Sequence, residues 1–191
     1  MKLIIGLGNP GKEYGGTRHS VGKFILEKIA KGWNVELEEL GNFALVAKYG
    51  KGKNTAWLIF PAQFMNGSGP TLKKVLKELD LKPRVEDVLV IHDELDIEVG
   101  RVKLTFAKSS AGHKGVESII KTLKKSKFWR LRVGIYPQKK NKKDPKAFLL
   151  GKFSRAEQKL INKNTKKIIE GVEMWLKNPN IGMGIINRKP R

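Results

Sequence analysis

The sequence predicts a single-domain α/β fold with a mixed, mostly parallel central sheet covered by helices. Short apolar runs alternate along the chain with amphipathic stretches of helical period, the pattern of strand and helix units that build such a sheet. The opening run Leu3–Leu7 breaks straight into glycines, which reads as a buried strand ending in a tight loop. No internal repeat or linker divides the 191 residues, a length that suits one core.

Strands are expected at Leu3–Leu7, Phe43–Tyr49, Thr55–Phe60, Val88–His92, Arg101–Phe106 and Leu131–Tyr136. Val21, Phe24, Ile25 and Ile29 share one helical stripe, and Leu72, Val75, Leu76 and Leu79 share another that Ser68 and Pro70 open. A third helix is expected from Gly115 to Leu123. Ser154-Arg155-Ala156-Glu157 has the form of a capping box, so the last helix starts there and carries Leu160, Ile161, Ile168, Ile169, Val172 and Leu176. Residues 138–146 read as a basic, mobile loop and residues 187–191 as a frayed basic tail.

The chain carries a net charge of +21, unevenly placed: residues 120–191 hold 21 Lys and Arg against 4 Asp and Glu. Such a field favours polyanions, nucleic acid first, because many phosphates can release counterions together. Cysteine is absent, which excludes disulfides and thiolate metal sites and fits a reducing cytoplasm. Lys2 precedes only a short apolar run, unlike a signal peptide, and no apolar stretch approaches the roughly 18 residues of a membrane span.

The first loop carries two incomplete nucleotide motifs. Gly6, Gly8 and Gly11 have dinucleotide-binding spacing, but Gly50-Lys51-Gly52-Lys53 stands where an acidic residue should follow the second strand. Gly6 and Gly11-Lys12 equally imitate a phosphate-binding loop, yet Glu13 replaces the required hydroxyl and Pro10 has no N–H to donate. What remains is Asn9, Tyr14 and His19, the last a candidate base. Asp93, Glu94 and Asp96 cluster after a strand, where they could hold a metal, although alternation sends neighbours to opposite faces. One of these carboxylates serving a histidine is the sharper reading. Loops at Phe60–Gly69 and Ser109–Gly115 complete a set that could converge beyond the carboxyl ends of the strands.

Five segments together resemble the bacterial-type peptidyl-tRNA hydrolase family. They are Gly6-Leu7-Gly8-Asn9-Pro10-Gly11 with Tyr14 and Thr17-Arg18-His19; Pro61 with Phe64-Met65-Asn66 and Ser68-Gly69; His92-Asp93-Glu94-Leu95-Asp96; Gly112-His113 with Gly115; and Phe128 with Arg130-Leu131-Arg132 and Gly134. The resemblance implies a cytoplasmic, usually monomeric hydrolase that cleaves the ester between a peptide and the terminal ribose of tRNA. It implies no metal, no cofactor, no membrane and no obligate protein partner. By the family's pattern His19 is the general base that activates water and Asp93 orients its ring. Asn9 and Asn66 match substrate-binding positions near the ester, Tyr14 and Phe64 flank the tRNA end, and Lys103 and Arg132 match phosphate contacts.

The chain departs from that pattern at several points. Lys114 stands where the family usually has Asn, exchanging a neutral amide for a charge with donors only. Ser20 replaces an Asn after the histidine and is expected to cap the following helix. Thr105 takes the place of a second basic residue, and Tyr136-Pro137-Gln138 replaces a Gly-Arg-Pro or Gly-His-Pro run, so phosphate handling is expected to differ, with lysines of 139–146 substituting. A non-catalytic RNA-binding relative, as among chloroplast splicing proteins that resemble the family, is the alternative. Intact Asn9, His19, Asn66 and Asp93 favour the enzyme.

Overall fold

Leu3, Ile4 and Ile5 are fully buried in β1 (Lys2–Gly6), because this strand has a parallel neighbour on either side and helices over both faces. The computed structural model describes every residue except 53–54, 108, 137–143 and 189–191. The remaining strands are β2 (Glu38–Leu40), β3 (Ala44–Tyr49), β4 (Ala56–Pro61), β5 (Val88–Glu98), β6 (Val102–Ala107) and β7 (Phe128–Tyr136). They form one seven-stranded sheet in the order β2-β3-β4-β1-β5-β7-β6. The central β4, β1, β5 and β7 are mutually parallel, while β3 and β6 run against them.

The helices are α1 (Val21–Gly32), α2 (Ser68–Glu78), α3 (Lys114–Leu123), α4 (Pro145–Leu150), α5 (Arg155–Lys163), α6 (Thr165–Lys177) and α7 (Pro179–Asn187). Strand alternation divides the core in two. Ile4, Leu58, Leu89, Ile91 and Leu131 pack with α1 and α6 on one face, and Leu3, Ile5, Val88 and Val90 with α2 and α3 on the other. Gly22 lets α1 come down onto the sheet: a Cβ there would collide with the backbone of Leu7 and Ile91.

Several expectations need correction. The strand expected to stop at His92 continues to Glu98, so the acidic cluster lies within β5, and β2 is a further short edge strand. The single helix expected from Ser154 is two, because the Asn164 side chain donates to the carbonyls of Gly100 and Leu160 at 2.7 and 3.0 Å and turns the chain there. The capping box itself is present. Residues 138–143 of the expected loop, and Pro137 before it, lie outside the described residues. From Asp144 onward, however, the chain is helix rather than loop, Asp144 accepting the Lys146 amide and Pro145 opening α4.

The tail expected to fray at Asn187 instead begins there as the end of α7. Asn187 clamps the edge strand, accepting the Leu104 amide at 2.7 Å and donating to its carbonyl at 3.0 Å. Residues 189–191 lie outside the described residues. No helix among the described residues is long and apolar enough to cross a membrane.

Candidate active site

β5 outruns its neighbour β1, whose last paired residue, Gly6, lies opposite Ile91. Past that point β5 has the loop after β1 beside it on that edge, while Asp93 stays paired with Val133 of β7 on the other. The loop turns back into α1 through a 3-10 turn, Arg18–Ser20, and this turn brings His19 over Asp93. His19 Nδ1 lies 2.9 and 3.1 Å from the two Asp93 oxygens. Ser20 does not cap α1 with its hydroxyl as expected; its Oγ accepts the Asn9 amide at 3.2 Å and ties the two ends of the loop together.

His113 approaches the same carboxylate, its Nε2 2.9 Å from Asp93 Oδ1. It is also the N-cap of α3, where Nδ1 accepts the amides of Gly115 and Val116 at 3.2 and 3.3 Å. Those two donors leave Nδ1 without a proton, so the ring carries its proton on Nε2 and donates it to Asp93. Gly112, at a positive φ of 79°, makes the turn that delivers His113. Asp93 is thereby shared between two imidazoles, and its side chain is only 3% exposed. Burial opposes its charge, but the electrostatic pull and hydrogen bond of His113, with those of His19, hold the carboxyl well below the ordinary carboxylate range.

Among the described residues His19, Asp93 and His113 form the one group with metal-ligand spacing. The donor set fits a cation poorly. A metal on His113 Nε2 would demand an imidazolate, or a proton on Nδ1 at the cost of the α3 cap. The metal alternative at Asp93, Glu94 and Asp96 is not realised, since alternation turns Glu94 away to Arg132, at 2.8 Å.

These groups open into a cleft of about 860 Å³. Asn9, Tyr14, His19, Phe64, Asn66, Asp93 and Lys114 all line it, so loops far apart in sequence are brought together. Asn9 spends its carbonyl oxygen on the Met65 amide at 3.2 Å, which leaves its NH₂ as the group to offer a substrate. Phe64, 55% exposed, meets Tyr14 edge to face at 5.9 Å. Lys114 is exposed at the first position of α3. Arg132 and Lys103 do not line the cleft. They are cross-strand partners on β7 and β6, Arg132 paired with Glu94 and Lys103 exposed. Sequence reasoning assigned no role to His113 or Arg18 and offered Glu94 only as a metal ligand; a histidine directly before a helix was the signal for the first.

The model of the peptidyl-tRNA hydrolase family matches residues 3–190. The chain belongs to that family. The peptidyl-tRNA hydrolase of Aquifex aeolicus is 38% identical over 192 residues, covering 99% of this chain and 97% of the relative. That of Bacillus anthracis is 36% identical over 179 residues, covering 94% and 95%. Among solved structures, the peptidyl-tRNA hydrolase of Acinetobacter baumannii superposes with a TM-score of 0.86 at 29% identity, covering 98% of this chain and 94% of that one. The cleft is thus the candidate active site of a peptidyl-tRNA hydrolase family member, with Asp93 and two histidines at its floor.

Proposed function

We propose that the protein hydrolyses the ester between peptide and tRNA, with His19 as general base and Asp93 as the group that orients it. The supporting observation is the direction of the His19 ring. With Nδ1–H donated to Asp93, Nε2 is left to accept a proton from water. Water then attacks the ester carbonyl and its proton passes to Nε2. The resulting imidazolium faces a buried carboxylate, and the tetrahedral intermediate collapses by expelling the ribose oxygen, which takes up the proton.

Asn9 and Asn66 bind the acyl group beside this water, and Tyr14 and Phe64 offer aromatic faces to the terminal adenine. Lys114 contributes its charge to the terminal phosphates, since a flexible lysine reaches solvent or phosphate at little cost. Lys103 and Arg132 contact phosphate farther along the tRNA. The enzyme works as a cytoplasmic monomer and recycles tRNA from peptides released early.

Purified protein incubated with N-acetyl-aminoacyl-tRNA and with free aminoacyl-tRNA is expected to cleave the first. His19→Ala should lower turnover by roughly a hundredfold or more while tRNA binding changes little. A folded His19→Ala protein of near-normal turnover would remove His19 from the mechanism. Binding without cleavage by the wild type would favour the RNA-binding alternative.

A further inference from the structure

Arg18, the residue before the proposed base, forks onto Glu157, with Nη2 3.1 Å from each carboxylate oxygen. Its Nη1 donates to the carbonyls of Phe148 and Lys152 at 3.5 and 3.2 Å. The same guanidinium lies 4.3 Å over the Phe148 ring and 5.4 Å from that of Phe153. Backbone bonds complete the junction: Arg18 donates to Gly151 at 3.0 Å, Phe153 donates to Gly16 at 3.1 Å, and Thr17 bridges Lys152. Arg18 itself does not line the cleft, whereas α4, directly before Gly151, lines it with Lys146, Leu149 and Leu150.

We infer that Arg18 is a positioning residue that latches α4, one wall of the substrate cleft, to the turn carrying His19. This rests on reading the cleft as the substrate site. A helix of six residues does not hold itself in water, so the placement of α4 comes from what it is docked against. A planar guanidinium suits the task because one nitrogen serves both carboxylate oxygens and a second serves two backbone carbonyls while its face stacks on an aromatic ring. With the fork lost, α4 spends time undocked, and apparent substrate affinity falls with the docked fraction. His19 keeps its own bond to Asp93, so the chemical step in the bound complex persists.

Glu157→Gln removes the charge while keeping an oxygen for the Ser154 amide that Glu157 now accepts. In this variant KM for N-acetyl-aminoacyl-tRNA is expected to rise about fivefold or more, with kcat within about twofold of wild type. Amide exchange at Phe148 and Gly151 should quicken. Arg18→Lys, which keeps the charge but has one nitrogen where the guanidinium uses two for Glu157 and the carbonyls of Phe148 and Lys152, should raise KM in the same way. An unchanged KM in both variants would overturn the latch, as would a tenfold or so fall in kcat at constant KM, which would place the effect on the His19 turn. Failure of the catalytic assignment itself would show separately, as a His19→Ala protein that still turns over.

Discussion

Asp93 accepts hydrogen bonds from two imidazoles at once, and the third histidine of the chain lies against them. The His113 ring is 5.0 Å from that of His19 and 4.9 Å from that of His92. His92 donates Nδ1–H to the Asp93 carbonyl at 2.7 Å, and its Nε2 is buried without a partner among the described residues. Burial first, and then the neighbouring His113, lower its pKa from 6.5 to about 3, against the opposing pull of Asp93. The folded ring therefore stays neutral where an unfolded chain would take up a proton. Its contribution to stability is complete above the unfolded pKa and is lost as pH falls from there toward the folded value, at up to roughly 1 kcal/mol per pH unit. Denaturant unfolding between pH 7.5 and 4.5 should show this slope in the wild type and a shallower one in His92→Gln. Equal slopes would mean that His92 is not held neutral by the fold.

At the scale of the element, the turn carrying His19 is placed by how closely α1 approaches the sheet. Lys23 donates its amide to the Leu7 carbonyl at 2.9 Å, and Leu7 donates to Ile91 at 2.9 Å, so helix, β1 end and β5 are bonded in series beneath His19. Gly22 makes that series possible. Gly22→Ala should destabilise the protein by about 2 kcal/mol, because the atoms a methyl would meet are backbone and cannot rotate away. Gly184 supplies the contrast inside α7, where a Cβ would meet nothing within 4 Å among the described residues. Gly184→Ala should be neutral or stabilising, by up to about 1 kcal/mol, through helix propensity alone. Urea midpoints of the two variants test the pair; a Gly22→Ala protein as stable as wild type would refute the close approach.

For the whole molecule, the excess positive charge of residues 120–191 is the proposed footing for a tRNA many times larger than the ester being cut. Binding should weaken steeply with added salt. Lys103→Gln should weaken it and reduce the salt slope by about one phosphate contact. Lys103 is the cleaner probe because Arg132 is already committed to Glu94, which is nearly buried and would be left unpaired in Arg132→Gln. Affinity titrations at several salt concentrations measure both variants, and a salt-independent affinity would contradict a phosphate footing.

The sequence by itself determined the fold class, six of the seven strands, three of the helices and the loops in which the site lies. These follow from local signals: apolar runs, helical period, glycine at sharp turns. It also singled out His19 and Asp93, because a histidine in the loop after β1 and a carboxylate on β5 belong to a known order of motifs. Only the tertiary structure decided what those groups touch. Asp93 and Glu94 are adjacent in the chain, yet one serves two histidines and the other an arginine, a division set by the strand's two faces and by the end of β1. The break at Asn164 and the Asn187 clamp were equally invisible, since each depends on a backbone carbonyl or amide tens of residues away. The shared carboxylate and the Arg18 junction arise from long-range pairing, which no local pattern encodes.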